Sequence, residues 1–473
     1  MSISKLPVSV AVIGGGIAGL SAAYFIQKHH PHLETTLFEA KPHLGGTIRT
    51  SCDQDFLIEH GPDAFLNAPS MEALIDELGL KDQIISTQPF NRRSYIVKNK
   101  TLVRIPKGFY LMGPLRTWPF LASKALSLKA KLRTLLEPWV PVTTLTDESL
   151  TDFVSRRFGK ANLEDITQAL IGGIYTANPD TLSIHATMPK FVAFEQEYGS
   201  VLRGMRKEIK GQDIQGPRYG KFRSFKRGMQ TLVDHLAQAM HTPSIQLNAK
   251  VQNIQRVDSK WVLQSTHGTQ TFDHILLGIH PRQILQLMPS HFDATLSARL
   301  ASFESASSAI VYLAFDKKSF DDRIHAMGMI VPKKENLPLL AATFCSEKFA
   351  GRAKESHVLL RVFLGGAQRP GICQESDEAL VGMAIEGIQQ LLNPGEPHHY
   401  HKVIRWPHAM PQYTLGHIKR VQTIFDQIEE TGAQMTLLGN AYTGVGIPHL
   451  IEQSKKAAQS LLQKHHSSDT VRL

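Results

Sequence analysis

A strand, glycine turn and helix open the chain, a second glycine junction lies near its end, and an acid-free basic stretch separates them. Together they predict an α/β fold with α+β character: a doubly wound domain in discontinuous pieces, a sheet-containing second domain and a helical insertion. The expected pieces are residues 1–90, 221–275 and 405–473 for the first domain, 91–220 for the insertion and 276–404 for the second domain. At 473 residues the chain is long enough for two or three cores. Its 42% apolar and 20% charged residues exclude a disordered or fibrous protein.

The stretch 8–13 (VSVAVI) is short, β-branched and almost wholly apolar, which suits a parallel strand covered on both faces. Gly14-Gly15-Gly16-Ile17-Ala18-Gly19 follows, and residues 20–27 carry small and apolar side chains at helical spacing. Residues 34–40 (ETTLFEA) form a second strand that ends in Glu39, which completes a βαβ unit.

From Gln83 to Leu136 there is no acidic residue, yet there are eleven basic ones: Arg92, Arg93, Lys98, Lys100, Arg104, Lys107, Arg116, Lys124, Lys129, Lys131 and Arg133. Aromatic residues and prolines interrupt them, as expected of an inserted subdomain in short pieces. Residues 151–174 and 180–206 read as helical, and 211–220 as a polar loop closing the insertion. The helix after Phe222 places Leu232, Val233, Leu236 and Met240 on one face. Residues 245–254 and 261–277 alternate like hairpin or edge strands, and 309–315, 327–331 and 358–363 add further strands. A helix over 378–392, a strand over 435–439 and a helix over 447–462 complete the order.

Gly14, Gly16 and Gly19 have the GxGxxG spacing, which permits a tight turn, close approach to a pyrophosphate and close helix packing. Helix N-terminal amides then face the phosphates. Glu39, twenty residues after Gly19, is placed to accept hydrogen bonds from ribose hydroxyls. The first domain is therefore Rossmann-like. Residues 41–50 (KPHLGGTIRT) favour a flavin over a nicotinamide, because Gly45 and Gly46 let backbone approach a second part of an extended dinucleotide and Arg49 offsets phosphate charge. The segment resembles the second signature of the flavin-dependent amine oxidase superfamily. Residues 439–451 (GNAYTGVGIPHLI) form a strand-to-helix junction whose helix N-terminus suits the electron-rich edge of a flavin ring.

Five segments narrow the resemblance: EHGPDAFL at 59–66, GGIYTANPDTLSIHATMP at 172–189, KRGMQTL at 226–232, WPHAMPQYTLGH at 406–417 and the C-terminal junction. Across nearly the entire chain they resemble the oxygen-dependent protoporphyrinogen and coproporphyrinogen oxidases of haem biosynthesis. Arg227, where that family often has glycine, and Leu450, where it often has cysteine, are departures. The resemblance implies non-covalent FAD held by Ile13, Gly14, Gly15, Gly16, Ile17, Ala18, Gly19, Glu39, Ala40, Gly45, Gly46, Gly61, Pro62, Asp63 and Ala64. It adds Val251, Trp406, Gly446, Ile447 and Pro448, although Val251 and Trp406 alone read as core residues. It also implies that Gly173 lies beside the reacting bridge carbon and that Arg92 meets a propionate.

The implied reaction removes six electrons and six hydrogens from a porphyrinogen, consumes molecular oxygen and releases hydrogen peroxide, with the flavin as chemical actor. Basic residues pair with propionates, so the acid-free stretch leans towards coproporphyrinogen III, with four, over protoporphyrinogen IX, with two. A solvated or phospholipid-facing surface explains the same stretch equally well. Another superfamily enzyme, such as a polyamine oxidase or carotenoid desaturase, and a non-catalytic tetrapyrrole-binding flavoprotein stay open.

Three cysteines without CxxC spacing exclude a disulfide scaffold or zinc module. The 22 histidines include clusters at 29–32 and 398–401, read here as solvated loops, so no metal is expected. Net charge is +10, but the dinucleotide framework argues against a nucleic-acid groove. The N-terminus lacks a signal-peptide pattern and no long apolar run appears, which predicts a cytoplasmic protein with peripheral contact at the inner face of the cell membrane left open. Hand-over of product to a ferrochelatase, and either a monomer or a homodimer, are equally compatible with the sequence.

Overall fold

The structure is a computed structural model, and it describes residues 8–208, 219–240, 245–367 and 369–470. Most of the polar loop expected over 211–220 lies outside the described residues.

Strand β1 (Ser9–Ile13), helix α1 (Ile17–His29) and strand β2 (Glu34–Phe38) form the expected βαβ unit. They belong to a five-stranded sheet in the order Ile245–Gln246, β2, β1, His274–Leu277, Met435–Leu437, parallel throughout. His274–Leu277 is buried at every position, so it is a central strand and not the hairpin or edge strand expected from the alternation before it. Four apolar-compatible residues are too few to reveal a period, which is why the sequence misassigns them. Helices Gln230–Gln238 and Ile447–Thr470 share one buried cluster with α1 on one side of the sheet, including Ile17, Leu20, Leu232, Leu236, Ile447 and Ile451. An antiparallel triplet (Val251–Val257, Lys260–Ser265, Gly268–Phe272) packs with the opposite side.

The second sheet has seven strands in the order Tyr400–Pro411, Ser305–Asp316, His357–Gly365, Ala341–Phe344, Gly328–Ile330, Ser94–Lys98, Thr101–Arg104. Its pairs are antiparallel except Gly328–Ile330 with Ser94–Lys98. Two of these strands thus come from the basic stretch, and Tyr400–Pro411 runs through residue 405. The mixed α/β and α+β class is as expected.

The rest of the stretch up to Glu208 is mainly helical and closes on a buried charge cluster. Arg157, fully buried, pairs with Glu137 and bonds to the Val140 carbonyl at 2.9 Å. Arg156 forks onto Glu148 at 2.8 Å and Glu195 at 2.7 Å. The Glu137 carboxylate also accepts from the Val201 and Leu202 amides at 2.9 and 3.1 Å, capping the helix Val201–Glu208. These bonds tie four short helical pieces together beside the buried apolar cluster that includes Phe153, Phe158, Phe194 and Leu202.

Candidate functional site

The glycines of the first loop do three different jobs. Gly14 adopts φ 102°, and a Cβ there would lie 2.7 Å from the Gly278 carbonyl oxygen, so it serves the turn and the neighbouring strand end. A Cβ at Gly19 would sit 2.0 Å from the Gly14 carbonyl oxygen, so Gly19 allows α1 to pack on the loop. Gly16 differs: its backbone is ordinary, at φ −67°, and an added Cβ would meet only the Gly46 Cα, at 3.9 Å. It is also the N-cap of α1, with no side-chain cap and no acidic residue in the first turn. An uncapped helix N-terminus beside open space at a glycine fits a pyrophosphate.

The second glycine pair docks on the first. Gly45 donates its N–H to the Gly15 carbonyl at 2.8 Å and bridges Gly16, and a Cβ on Gly46 would press to 3.1 Å on the Gly16 Cα. Gly61 continues this surface, since a Cβ there would lie 2.0 Å from the Thr47 carbonyl oxygen. Three loops distant in sequence therefore form one backbone-lined floor.

Glu39 follows β2 and is held by two backbone amides, Gly15 N–H at 2.7 Å and Lys41 N–H at 2.8 Å. Each oxygen keeps a lone pair for another donor, which suits ribose hydroxyls. Ala40 is exposed beside it, and the Glu39 carbonyl accepts from the Ala249 amide at 2.9 Å, which brings the start of the Val251 strand alongside. Val251 itself is buried in the cluster that holds Ile13 and Phe38.

The loop Glu59–Ala64 is braced from behind. The Trp406 indole donates to the His60 carbonyl at 2.6 Å, and the Arg361 guanidinium donates to the Gly61 carbonyl. Lys348 pairs with Asp63 at 2.7 Å. Burial alone would raise the Asp63 pKa, but Lys348 and Arg361 hold it below the usual carboxylate range. Burial, helped by Arg49 and Lys402, pushes the His60 imidazole down to about 4, so it is neutral near pH 7. Burial pushes Glu59 up to about 7 against hydrogen bonds from the Thr50 hydroxyl (2.7 Å) and the Met229 amide (2.8 Å). Pro62 and Ala64 are half-buried in the same loop.

At the C-terminal junction, Ile447 shares the buried cluster of Ile17 and Ala18, and the Ser454 hydroxyl donates to the Ala18 carbonyl at 2.7 Å. Gly446 directly precedes the helix and Pro448 stands in its first turn, and Ser70 reaches the Pro448 carbonyl at 3.4 Å. Tyr413 donates to the Asn440 carbonyl at 2.7 Å and His417 to the Tyr442 carbonyl at 2.8 Å, their rings stacked 4.0 Å apart. Both brace the loop before Gly446. Tyr175, whose hydroxyl donates to the Thr187 carbonyl at 2.9 Å, braces a turn of the helical region.

Gly173 lies on the helix Gln168–Tyr175. No atom falls within 4 Å of a Cβ built there, and the residue opens on a cavity of about 430 Å³. Residues 331–333, 336–340, 365–367 and Arg369 form the other walls, and among the described residues the ionisable lining residues are Lys333 and Arg369. Arg92 does not line this cavity: its guanidinium bonds to the Thr87 hydroxyl at 3.0 Å and lies against Gly220. None of the other ten cations of the acid-free stretch lines it either. Several cap backbone carbonyls instead: Arg93 at His325, Lys98 at Lys124 and Ala125, Lys131 at Leu121 and Ser123, Arg133 at Arg156 and Arg157. Short segments broken by prolines leave carbonyls that long cations can satisfy.

Sequence reasoning missed Lys333, Arg369, Lys348 and Arg361, which share no motif with the glycine loops. Lys333 and Arg369 follow turns whose position depends on sheet pairing, and a lone surface cation gives no local signal.

Residues 17–462 match the family described as flavin containing amine oxidoreductase. The chain is 30% identical to coproporphyrinogen III oxidase of Bacillus subtilis (strain 168), covering 96% of this chain and 97% of that protein. It is 29% identical to coproporphyrinogen III oxidase of Staphylococcus aureus (strain NCTC 8325 / PS 47), covering 96% and 99%. Among solved structures, it superposes on a proposed protoporphyrinogen oxidase from Exiguobacterium sp. 255-15 with a TM-score of 0.84, 29% identity and coverage of 96% and 98%. The glycine floor, the uncapped helix and these full-length likenesses agree: the chain belongs to the flavin-containing amine oxidoreductase family, with the porphyrinogen oxidases as its relatives.

Proposed function

We propose that the chain oxidises coproporphyrinogen III to coproporphyrin III, with FAD as the resident cofactor and molecular oxygen as the final acceptor. The observation that carries the substrate choice is the cavity at Gly173: among the described residues its charged lining side chains, Lys333 and Arg369, are both cations. Two cations facing one cavity suit a substrate bearing several carboxylates. The coproporphyrinogen III oxidases matched end to end support the same reading.

A bound flavin supplies the two-electron chemistry. The α1 amides and Gly14–Gly19 hold the pyrophosphate, Gly45 and Gly46 admit it closely, and Glu39 binds the ribose. Gly61–Ala64, Trp406 and Gly446–Pro448 orient the ring, with Lys348 and Arg361 fixing the loop from behind. Gly172 and Gly173 add no side chain to their part of the cavity wall, so that a flat macrocycle lies against backbone there. Lys333 and Arg369 orient it through its propionates, while Arg92, held at Thr87, remains the candidate for a propionate outside this cavity. Among the described residues no acid/base dyad lines the cavity, and orientation with exclusion of water is the protein's share.

The outer face of the insertion supports peripheral membrane contact. Leu128, Leu132 and Leu136 recur every four residues and are more than half exposed, flanked by Trp118 and Trp139, which are 76% and 73% exposed. Lys124 and Lys129 are exposed among them. Apolar and aromatic side chains pointing outward between cations suit the headgroup boundary of an anionic bilayer. Among the described residues no helix is long and apolar enough to cross a membrane.

Purified protein supplied with coproporphyrinogen III should generate porphyrin Soret absorbance together with peroxide. Turnover of amines but not of porphyrinogens would overturn the proposal.

A further inference from the structure

The far end of the seven-stranded sheet carries three side chains with metal-ligand chemistry. Asp316 ends one strand, and its register partner His357 begins the next. His399 precedes the strand on the other side and is fixed there by its N–H bond to the Ala314 carbonyl at 3.0 Å. Sheet pairing therefore places one carboxylate between two imidazoles from three separate chain segments. The Asp316 Oδ1 lies 3.7 Å from His357 Nε2 and 4.0 Å from His399 Nε2. One ligand atom from each residue falls within 4.8 Å of the others.

We propose that Asp316, His357 and His399 form a binding site for a divalent first-row transition metal of the zinc(II) type. Tetrahedral zinc with bonds near 2 Å sets its ligands roughly 3.3 Å apart, so small side-chain rotations close the triad. Two imidazoles and one carboxylate suit this ion, with water in the fourth position. A second observation supports coordination through His357 Nε2: Ser356 Oγ lies 3.0 Å from His357 Nδ1. With Nδ1–H donating to that hydroxyl, the Nε2 lone pair faces Asp316. Phe56 packs edge-on to His357 at 5.9 Å and tilted against His399 at 6.1 Å, which limits rotation of both rings. Lys318, 3.9 Å from Asp316, is the competing cation, and it already has Glu396 at 3.1 Å as an alternative partner.

The triad sits eight residues along its strand from Ser308, which pairs with Trp406 at the flavin-proposed end, or roughly 26 Å at strand rise. The metal is thus a clip across three strand ends, and its binding is independent of how the cavity is used.

The test is titration of chelator-treated holoprotein with zinc(II) by calorimetry, and with cobalt(II) by difference absorption. One equivalent should bind, with the visible bands of tetrahedral cobalt(II). Affinity should fall at least tenfold in His399→Gln and in Asp316→Asn, and about tenfold in Ser356→Ala. His29→Gln/His32→Gln, at the other histidine cluster, should leave it unchanged. Equal uptake by wild type and His399→Gln, loss of uptake only in the His29→Gln/His32→Gln protein, or no uptake by wild type overturns the site. Thermal unfolding of each variant without metal separates loss of a ligand from loss of fold.

Discussion

Replacing Gly16 with aspartate should push folding and flavin binding in opposite directions. The backbone at Gly16 is ordinary for any residue and an added Cβ meets only the Gly46 Cα at 3.9 Å, so the substitution introduces no strain in the apoprotein. As N-cap of α1, aspartate accepts from the free amides and complements the helix dipole, which stabilises the apoprotein by up to about 1 kcal/mol. In a chain of this size that raises the apoprotein Tm by roughly 1–2 °C. The same carboxylate would stand where a pyrophosphate meets those amides. One pair of like charges about 4 Å apart costs about 4 kcal/mol at an effective dielectric of 20, or roughly a thousandfold in affinity. The assay is flavin absorbance per mole of purified protein, with thermal unfolding of apoprotein prepared from both forms. Wild-type flavin content in Gly16→Asp would refute the assignment of the α1 amides to the pyrophosphate. A lower apoprotein Tm would refute the argument that Gly16 is kept for a ligand. Gly19→Ala is the contrast, because its Cβ would fall 2.0 Å from the Gly14 carbonyl oxygen and must harm the fold itself.

Other consequences can be measured separately. Glu59 has a folded pKa raised from 4.5 to about 7, so its contribution to stability is full below about pH 4.5 and is lost as pH rises to 7. Glu59→Gln should remove a loss of up to about 3 kcal/mol across that window, and identical denaturant midpoint profiles between pH 5 and 8 would contradict the assignment. His60 and His417 work in the other sense: both are depressed to about 4, largely by burial, so their contribution is present above about pH 6.5 and lost as pH falls to 4. Arg157→Met leaves Glu137 buried without its guanidinium and should cost about 3–5 kcal/mol in chemical denaturation; a change under 1 kcal/mol would mean that the helical region does not depend on the pair. Leu132→Glu should abolish sedimentation with anionic vesicles while leaving turnover in solution intact, and unchanged sedimentation would remove this face from the membrane reading.

What could be read from the sequence was what the backbone constrains locally. Gly14, Gly19, Gly45 and Gly61 each stand where a Cβ would strike a carbonyl within 3 Å, and such positions announce themselves as glycine clusters beside apolar runs. The place of Glu39, directly after β2 and beside Gly15, was legible because the βαβ unit fixes the distance from loop to second strand end. Contacts made by register were not legible. Trp406 reaches His60 only because Tyr400–Pro411 pairs with Ser305–Asp316, and Lys333 and Arg369 share a cavity with Gly173 only after the seven strands assemble. The cations between Gln83 and Leu136 misled for a related reason: composition records their charge, but not that Lys131 and Arg133 spend it on carbonyls of their own subdomain. Histidines 398–401 likewise read as a loop cluster, whereas it is strand pairing that sets His399 beside His357 and Asp316.

The most direct measurement mixes the purified, flavin-loaded protein with coproporphyrinogen III without oxygen, follows the flavin absorbance, and then admits air. Bleaching on mixing, recovery in air with peroxide released, and a kcat/KM above that for protoporphyrinogen IX are the results expected. A flavin that coproporphyrinogen III leaves oxidised, or one that only protoporphyrinogen IX or an amine reduces, contradicts the account.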